Sequence, residues 1–179
     1  MNPVVKGLLG EEEVKLFLIE YTKQFGGYFL SPAIVPIDDT VTQVDFIVFT
    51  KHLMACIEVK SWAGEVIVPQ FDESWKIIYK NKITTTCNPF QQNSYHCKAV
   101  DNNSVCGIRY DNLVLFPDTT SIYNKQKYTI NMDELLLRLN YGVKDYSDSV
   151  IEKEYLHFKK LTEDNYYLYM LREFMHITI

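Results

Sequence analysis

The sequence predicts an α/β fold, and two kinds of periodicity indicate it. Residues 42–48 and 54–60 carry apolar and β-branched side chains at period two, which is typical of β-strands. The short break between them, at Lys51 and His52, suits a hairpin. Apolar residues recur at helical spacing in residues 5–25 and 150–174. We therefore expect a sheet core flanked by helices, with a helical segment at the C-terminal end.

Length, charge and cysteine content limit the class of protein. A chain of 179 residues that is 47% hydrophobic can form one domain, residues 1–179, with a sizeable core. Its net charge of −5 argues against a broadly basic nucleic-acid binder, so any contact with nucleic acid should be local and metal-assisted. Four cysteines without a CxxC pair favour a reduced, cytoplasmic setting. We expect no signal peptide, no membrane span and no membrane partner.

Charged residues on the two central strands form the main candidate site. Alternation along the second strand places Glu58 and Lys60 on one face, and Asp45 reaches the same edge if the strands pair as a hairpin. Two carboxylates beside an ammonium group are a plausible divalent-metal hydrolytic site. The alternative is a solvated face with weak ion pairs. The strongly apolar surroundings favour the site, because buried charges need a partner or a metal.

The first helix carries two further signals. Gly7 and Gly10 weaken a helix, so they need another reason, such as the close approach of another backbone. The acidic residues 11–13 can simply suit the helix N-terminus. Alternatively, one of them, Glu11, faces the cluster of Asp45 and Glu58.

After the hairpin, the sequence predicts a β extension and then another helix. We expect short strands at residues 65–68, 74–79 and 82–86. Asn88 followed by Pro89 is a helix-initiation signal. Gln92 and His96 then share one helix face, because they are four residues apart. An inward-facing Gln92 can orient a water or a phosphate, whereas a solvated face is the plainer interpretation.

The last third of the chain, residues 118–179, is expected to be mainly helical. A short helix is predicted at 133–139 and a longer one at 150–174, with an interruption near 162–165 left open. We expect the apolar stripe of the longer helix to be core, and a homodimer interface is the alternative. The stripe comprises Tyr155, Leu156, Phe158, Leu161, Tyr167, Leu168, Leu171 and Phe174.

An ordered set of short motifs runs through the first two thirds of the chain. The motifs are Lys6-Gly7-x-x-Gly10-Glu11, Thr42-Gln43-Val44-Asp45, Ile57-Glu58-Val59-Lys60-Ser61-Trp62-x-Gly64, Trp75 and Asn88-Pro89-x-x-Gln92. Together they resemble the nuclease-related domain family, NERD, of the PD-(D/E)XK phosphodiesterase superfamily. The likeness assigns residues 1–117 to a nuclease-like core and leaves 118–179 as a helical extension of the same domain.

The resemblance implies a restriction-endonuclease-like core, a mixed sheet flanked by helices, and a metal site. Asp45 and Glu58 would coordinate Mg²⁺ or Mn²⁺ together with the carbonyl of Val59, a ligand mixture that suits octahedral magnesium. The proline often found at the head of the superfamily motif is replaced by Val44. Metal binding needs only the carboxylate that follows it.

Roles for three more residues come from the same resemblance. Lys60 would hold or deprotonate the attacking water and stabilise charge on the phosphate. Glu11 would orient its helix or contact a metal-bound water, and Gln92 would help position water or substrate. The implied function is metal-dependent hydrolysis of phosphodiester bonds in nucleic acid, with DNA as the expected substrate. The alternative is a catalytically inactive nuclease-fold module for nucleic-acid binding or protein interaction.

Overall fold

The computed structural model describes residues 3–62, 64–69, 74–117 and 121–176. The expected boundary near residue 117 adjoins residues 118–120, which lie outside these ranges. The helices are α1 (Pro3–Phe25), α2 (Pro89–Asn103), α3 (Met132–Tyr141) and α4 (Asp148–His176). The strands are β1 (Tyr28–Leu30), β2 (Ala33–Ile37), β3 (Thr40–Val44), β4 (Phe46–Phe49), β5 (Met54–Val59), β6 (Glu65–Ile67), β7 (Ser74–Tyr79), β8 (Lys82–Cys87), β9 (Asp111–Leu115), β10 (Ser121–Tyr123) and β11 (Thr129–Ile130).

The central sheet is mixed and has the strand order β1-β4-β5-β9-β11. The pairs β1–β4 and β4–β5 are antiparallel, whereas β5–β9 and β9–β11 are parallel. A second sheet, in the order β10-β6-β7-β8, forms the predicted β extension, and β2 and β3 make a separate hairpin. These sheets and the surrounding helices confirm the expected restriction-endonuclease-like α/β fold.

Each face of the central sheet is covered by helices. Alternation along β5 sends Ala55, Ile57 and Val59 to the face that packs against α1 and α3. Met54 and Cys56 point to the opposite face, where α2 and α4 cover them. The predicted two-faced character of this strand is therefore confirmed, and it explains why every residue of β5 is buried.

Local sequence signals account for one turn, one helix start and one helix end. Lys80 and Asn81 both have positive φ, of 47° and 63°, which makes the two-residue turn between β7 and β8. The side chain of Asn88 accepts a hydrogen bond from the Phe90 N–H at 2.9 Å and so caps the start of α2. Gly26, at φ 84°, follows the end of α1.

For the long C-terminal helix, the structure decides the interruption that the sequence left open and corrects one prediction. α4 continues without interruption through residues 162–165. Its apolar stripe is core only in the first half, where Phe158 is buried and Tyr155 and Leu161 are partly buried. The other stripe residues are exposed, because the strands against which α4 packs leave them uncovered; they are Leu156, Tyr167, Leu168, Leu171 and Phe174. No helix in the described ranges is both long and apolar enough to span a membrane.

Candidate active site

Asp45 and Glu58 face each other across the β4–β5 hairpin. Asp45 lies at the bend between β3 and β4, which belong to different sheets. Antiparallel pairing of Phe46 with Ile57 places the preceding residue, Asp45, opposite Glu58. The Val59 N–H donates a hydrogen bond to Asp45 Oδ2 at 2.9 Å and fixes that carboxylate at the end of β5. The predicted hairpin thus brings both carboxylates together.

Burial and a neighbouring carboxylate raise the proton affinity of both groups. Burial, followed by the charge of Glu58, raises the pKa of Asp45 to about 6, against the Val59 N–H and Lys60. Burial also raises the pKa of Glu58, although Lys60 opposes this and Glu11 adds to it. The pair is therefore an acidic centre whose repulsion one ammonium group does not fully compensate. An additional cation would relieve it.

Lys60 supplies that single ammonium group. Its backbone N–H donates to the Leu115 carbonyl at 2.9 Å, which extends the pairing of β5 with β9 by one residue. Its Nζ donates to Glu58 Oε1 at 2.5 Å. Lys60 therefore lies at the same edge as the carboxylates, as the alternation along the strand predicted, and one of its donors is already committed to Glu58.

Glu11 joins the cluster because α1 approaches β5 very closely at the preceding residue. A Cβ on Gly10 would lie 1.6 Å from Ser61 Oγ, so only glycine fits there. Burial and the charge of Asp45 raise the pKa of Glu11, while Lys60 lowers it. The close approach predicted for Gly10 is confirmed, although it is made by a side chain; at Gly7 nothing lies within 4 Å.

Two residues of α2 complete the wall of the site. His96 Nδ1 lies 2.8 Å from Thr42 Oγ1, and Nε2 lies 3.7 Å from Glu58 Oε2. Burial, followed by the charge of Lys60, lowers the pKa of His96 to about 4, so a neutral imidazole faces Glu58 at neutral pH. Gln92, one turn earlier, is exposed at the same groove, and its side chain has no hydrogen bond to another described residue.

The site opens into a groove of about 260 Å³ that also involves the C-terminal helix. Four of its lining residues belong to no motif or candidate site recognised in the sequence, and they are Val41, Tyr169, Arg172 and Glu173. The three on α4 follow the i, i+3, i+4 spacing of one helix face. That spacing shows that they share a face, but it carries no information about which strand the face meets.

The donor set fits a hard cation. Asp45 and Glu58 offer carboxylate oxygens, and the Val59 carbonyl is the third oxygen ligand expected from the sequence. Within the described ranges, no group of three or more His, Cys, Asp or Glu side chains is arranged to hold a metal ion. A cation here would therefore depend on two carboxylates, one carbonyl and water, which is the mixture that Mg²⁺ accepts and Zn²⁺ does not favour.

Comparisons with known proteins agree with this geometry. No curated protein and no solved structure matches the chain significantly. The family model described as nuclease-related domain, NERD, matches residues 6–117, which is more than half of the 179-residue chain. The matched span contains Glu11, Asp45, Glu58, Lys60 and Gln92. The chain therefore belongs to the nuclease-related domain family, a PD-(D/E)XK-like family.

Proposed function

We propose that this protein is a metal-dependent nuclease that hydrolyses phosphodiester bonds in DNA. The observation that carries the proposal is the pairing of the half-buried Asp45, which lines the groove, with the buried Glu58, which holds the single ammonium group. A carboxylate pair withdrawn from solvent, in which Glu58 raises the pKa of Asp45, is costly unless a cation joins it. Membership in a nuclease-related family supports the same chemistry.

Asp45, Glu58 and the carbonyl of Val59 would hold Mg²⁺ or Mn²⁺. The bound cation would polarise the phosphate and lower the pKa of a bound water. Asp45 is preset for this role, because the Val59 N–H holds one of its oxygens and leaves the other available. The hairpin register fixes Glu58 beside it.

Lys60 and the groove residues act on the attacking water and on the phosphate. When substrate enters, the ammonium of Lys60 can donate to the attacking water or to a phosphate oxygen with the donors that Glu58 leaves free. Glu11 interacts electrostatically with Lys60, and its negative charge helps to retain that ammonium near the reacting atoms. The exposed amide of Gln92 can orient water or substrate at the groove wall.

A cleavage assay tests this function. Linear, circular and single-stranded DNA are incubated in Mg²⁺ or Mn²⁺ with the unmodified protein, Glu58→Ala and Lys60→Ala. We expect each variant to lose at least about a hundredfold in rate, because each removes several kcal/mol of transition-state stabilisation. Glu11→Gln should also cleave more slowly, whereas Glu12→Gln, at the exposed neighbouring position, is its matched control and should cleave normally.

Calorimetry with Mn²⁺ separates the metal site from turnover. Asp45→Ala and Glu58→Ala should lose Mn²⁺ binding; equal binding by these variants and the unmodified protein would overturn the metal site. DNA binding that a chelator leaves unchanged, without cleavage, would instead identify a binding module. We also propose a cytoplasmic location, since all four cysteines are free thiols and suit a reducing compartment.

A further inference from the structure

The end of α4 forms one side of the candidate active-site groove. Tyr169, Arg172 and Glu173 line it opposite Asp45 and Gln92. The family match ends at residue 117, so this wall comes from a part of the chain outside the matched span. One side of the groove therefore belongs to the matched domain, which carries the acidic centre, and the other side belongs to the C-terminal extension.

Arg172 is held firmly at this wall. Its Nη1 donates to the Val41 carbonyl at 2.7 Å and lies 3.3 Å from Thr40 Oγ1. Ten residues earlier, Thr162 Oγ1 accepts a hydrogen bond from the Ile34 N–H at 3.1 Å. Two separate attachments therefore fix α4 on the β2–β3 hairpin, and the guanidinium projects from a rigid position.

The fixed guanidinium retains binding capacity. Both of its contacts use Nη1, whereas a guanidinium has five N–H donors in a planar fork. Arg172 has no ion pair with any carboxylate in the described part of the chain. A guanidinium with free donors matches a phosphate in shape and charge.

The charges around the groove make this cation significant. Among the described residues that line the groove, Arg172 is the only permanent cation, while Asp45 and Glu173 are acidic. Lys60, the nearest other cation of the site, already donates to Glu58. A polyanion that enters the groove therefore needs a positive contact away from the carboxylates, and Arg172 supplies it.

We propose that Arg172 binds a backbone phosphate of the nucleic acid whose cleaved bond lies at Asp45 and Glu58. This inference rests on the proposed nuclease function and adds a substrate-binding residue to it. The contact is to the sugar–phosphate backbone, so it positions the strand without reading base sequence. One phosphate contact on a duplex contributes about 0.9 to the slope of log affinity against log salt.

The experiment measures DNA binding and its salt dependence for Arg172→Gln, Arg172→Lys and the unmodified protein. The probe is a short fluorescent duplex, titrated at several KCl concentrations with a fixed concentration of Ca²⁺. We expect Arg172→Gln to bind about tenfold more weakly, because a charge-assisted hydrogen bond is lost, and to reduce the salt slope by about 1. Arg172→Lys should keep the slope, since it keeps the charge.

Thr162→Val is the matched structural control. It loosens the other attachment of α4 without changing any charge, so its salt slope should equal that of the unmodified protein. An unchanged slope in Arg172→Gln, or the same reduction in Thr162→Val, would overturn the role of Arg172 while DNA binding itself persists. If the unmodified protein neither binds nor cleaves DNA, the proposed function fails and this inference fails with it.

Discussion

Two buried glutamates in this protein have opposite surroundings. Glu58, at the end of β5, lies beside Asp45 and Lys60 at the groove. Glu154, on α4, lies in the core on the same side of the sheet but does not line the groove. Both are almost inaccessible to solvent, so burial alone does not distinguish them.

The difference lies in their hydrogen-bond partners. Glu154 accepts hydrogen bonds from Ser104 Oγ at 3.0 Å, from the Cys106 N–H at 2.6 Å and from the Tyr110 hydroxyl at 2.7 Å. These donors are neutral, and Tyr110 stays a donor because burial, with Glu154 adding to it, raises its pKa. Glu58 has one ammonium and two carboxylate neighbours. Glu154, whose hydrogen bonds are all satisfied, therefore stabilises the fold. Glu58, which other carboxylates repel, is free to bind a cation.

The largest effect should come from removing the satisfied glutamate. Glu154→Ala leaves three donors without their acceptor and opens a cavity, so we expect the free energy of unfolding to fall by about 3–5 kcal/mol. Urea denaturation measures this. Glu152→Ala, exposed on the same helix, is the control and should change stability by less than about 0.5 kcal/mol. Similar losses in both variants would contradict the structural role of Glu154.

A metal should act on only one of the two glutamates. At a Mn²⁺ concentration about 100 times its Kd, binding to the folded state should add about 2.7 kcal/mol to the stability of the unmodified protein. Glu58→Gln should abolish this increment, because it removes a ligand. Glu154→Gln, although less stable, should retain it. Thermal unfolding with and without Mn²⁺ gives both values, and an increment that survives Glu58→Gln would place the metal elsewhere.

Without metal, neutralising Glu58 should stabilise the protein. The pKa of Glu58 is raised in the folded state, so its ionised form is less favourable there than in the unfolded chain. Glu58→Gln should therefore gain about 1 kcal/mol at pH 7 in EDTA, which is typical of replacing a functional residue that strains the fold. Asp45→Asn should change stability in the same direction. A loss from both variants would show that Glu58 and Asp45 are structural, as Glu154 is.

Sequence reasoning located the first glutamate because its neighbours are local. Period-two alternation and a short turn are enough to bring Asp45 opposite Glu58, and an approach of Glu11 to this pair was one of two interpretations of the acidic residues in α1. The general α/β architecture followed from the same periodicities. Contacts made across a hairpin or within one helix turn can be derived from spacing alone.

The second glutamate and the α4 wall could not be located in this way. The partners of Glu154 come from a segment more than 40 residues earlier, and Arg172 meets a strand more than 130 residues away. Helical spacing shows which residues share a face, but whether another element covers that face depends on tertiary packing. For the same reason, the stripe of α4 was predicted as core throughout, although residues such as Tyr167 are exposed.

The smallest change in stability should come from Glu134, a glutamate near the surface. It serves as the reference for the changes at Glu154 and Glu58. Burial would raise its pKa, but hydrogen bonds from Lys125 and from the Asn131 N–H outweigh it and lower the pKa below 4.5. A lowered pKa means that the ionised form stabilises the fold above the unfolded pKa, and that this contribution disappears as the pH falls through the folded pKa. Screening at the surface limits the contribution to roughly 0.5 kcal/mol.

Glu134→Gln should therefore be about 0.5 kcal/mol less stable than the unmodified protein at pH 7 and equally stable near pH 3. Urea denaturation at both pH values measures the difference. Asp133→Asn, on the exposed neighbouring residue, controls for the loss of one charge in the first turn of α3. A deficit that persists at pH 3 would assign the role of Glu134 to the shape of its capping hydrogen bond. Because Glu134 is the same carboxylate with only partial burial, larger changes at Glu154 and at Glu58 can be attributed to their fuller burial and to the partners that each carboxylate meets there.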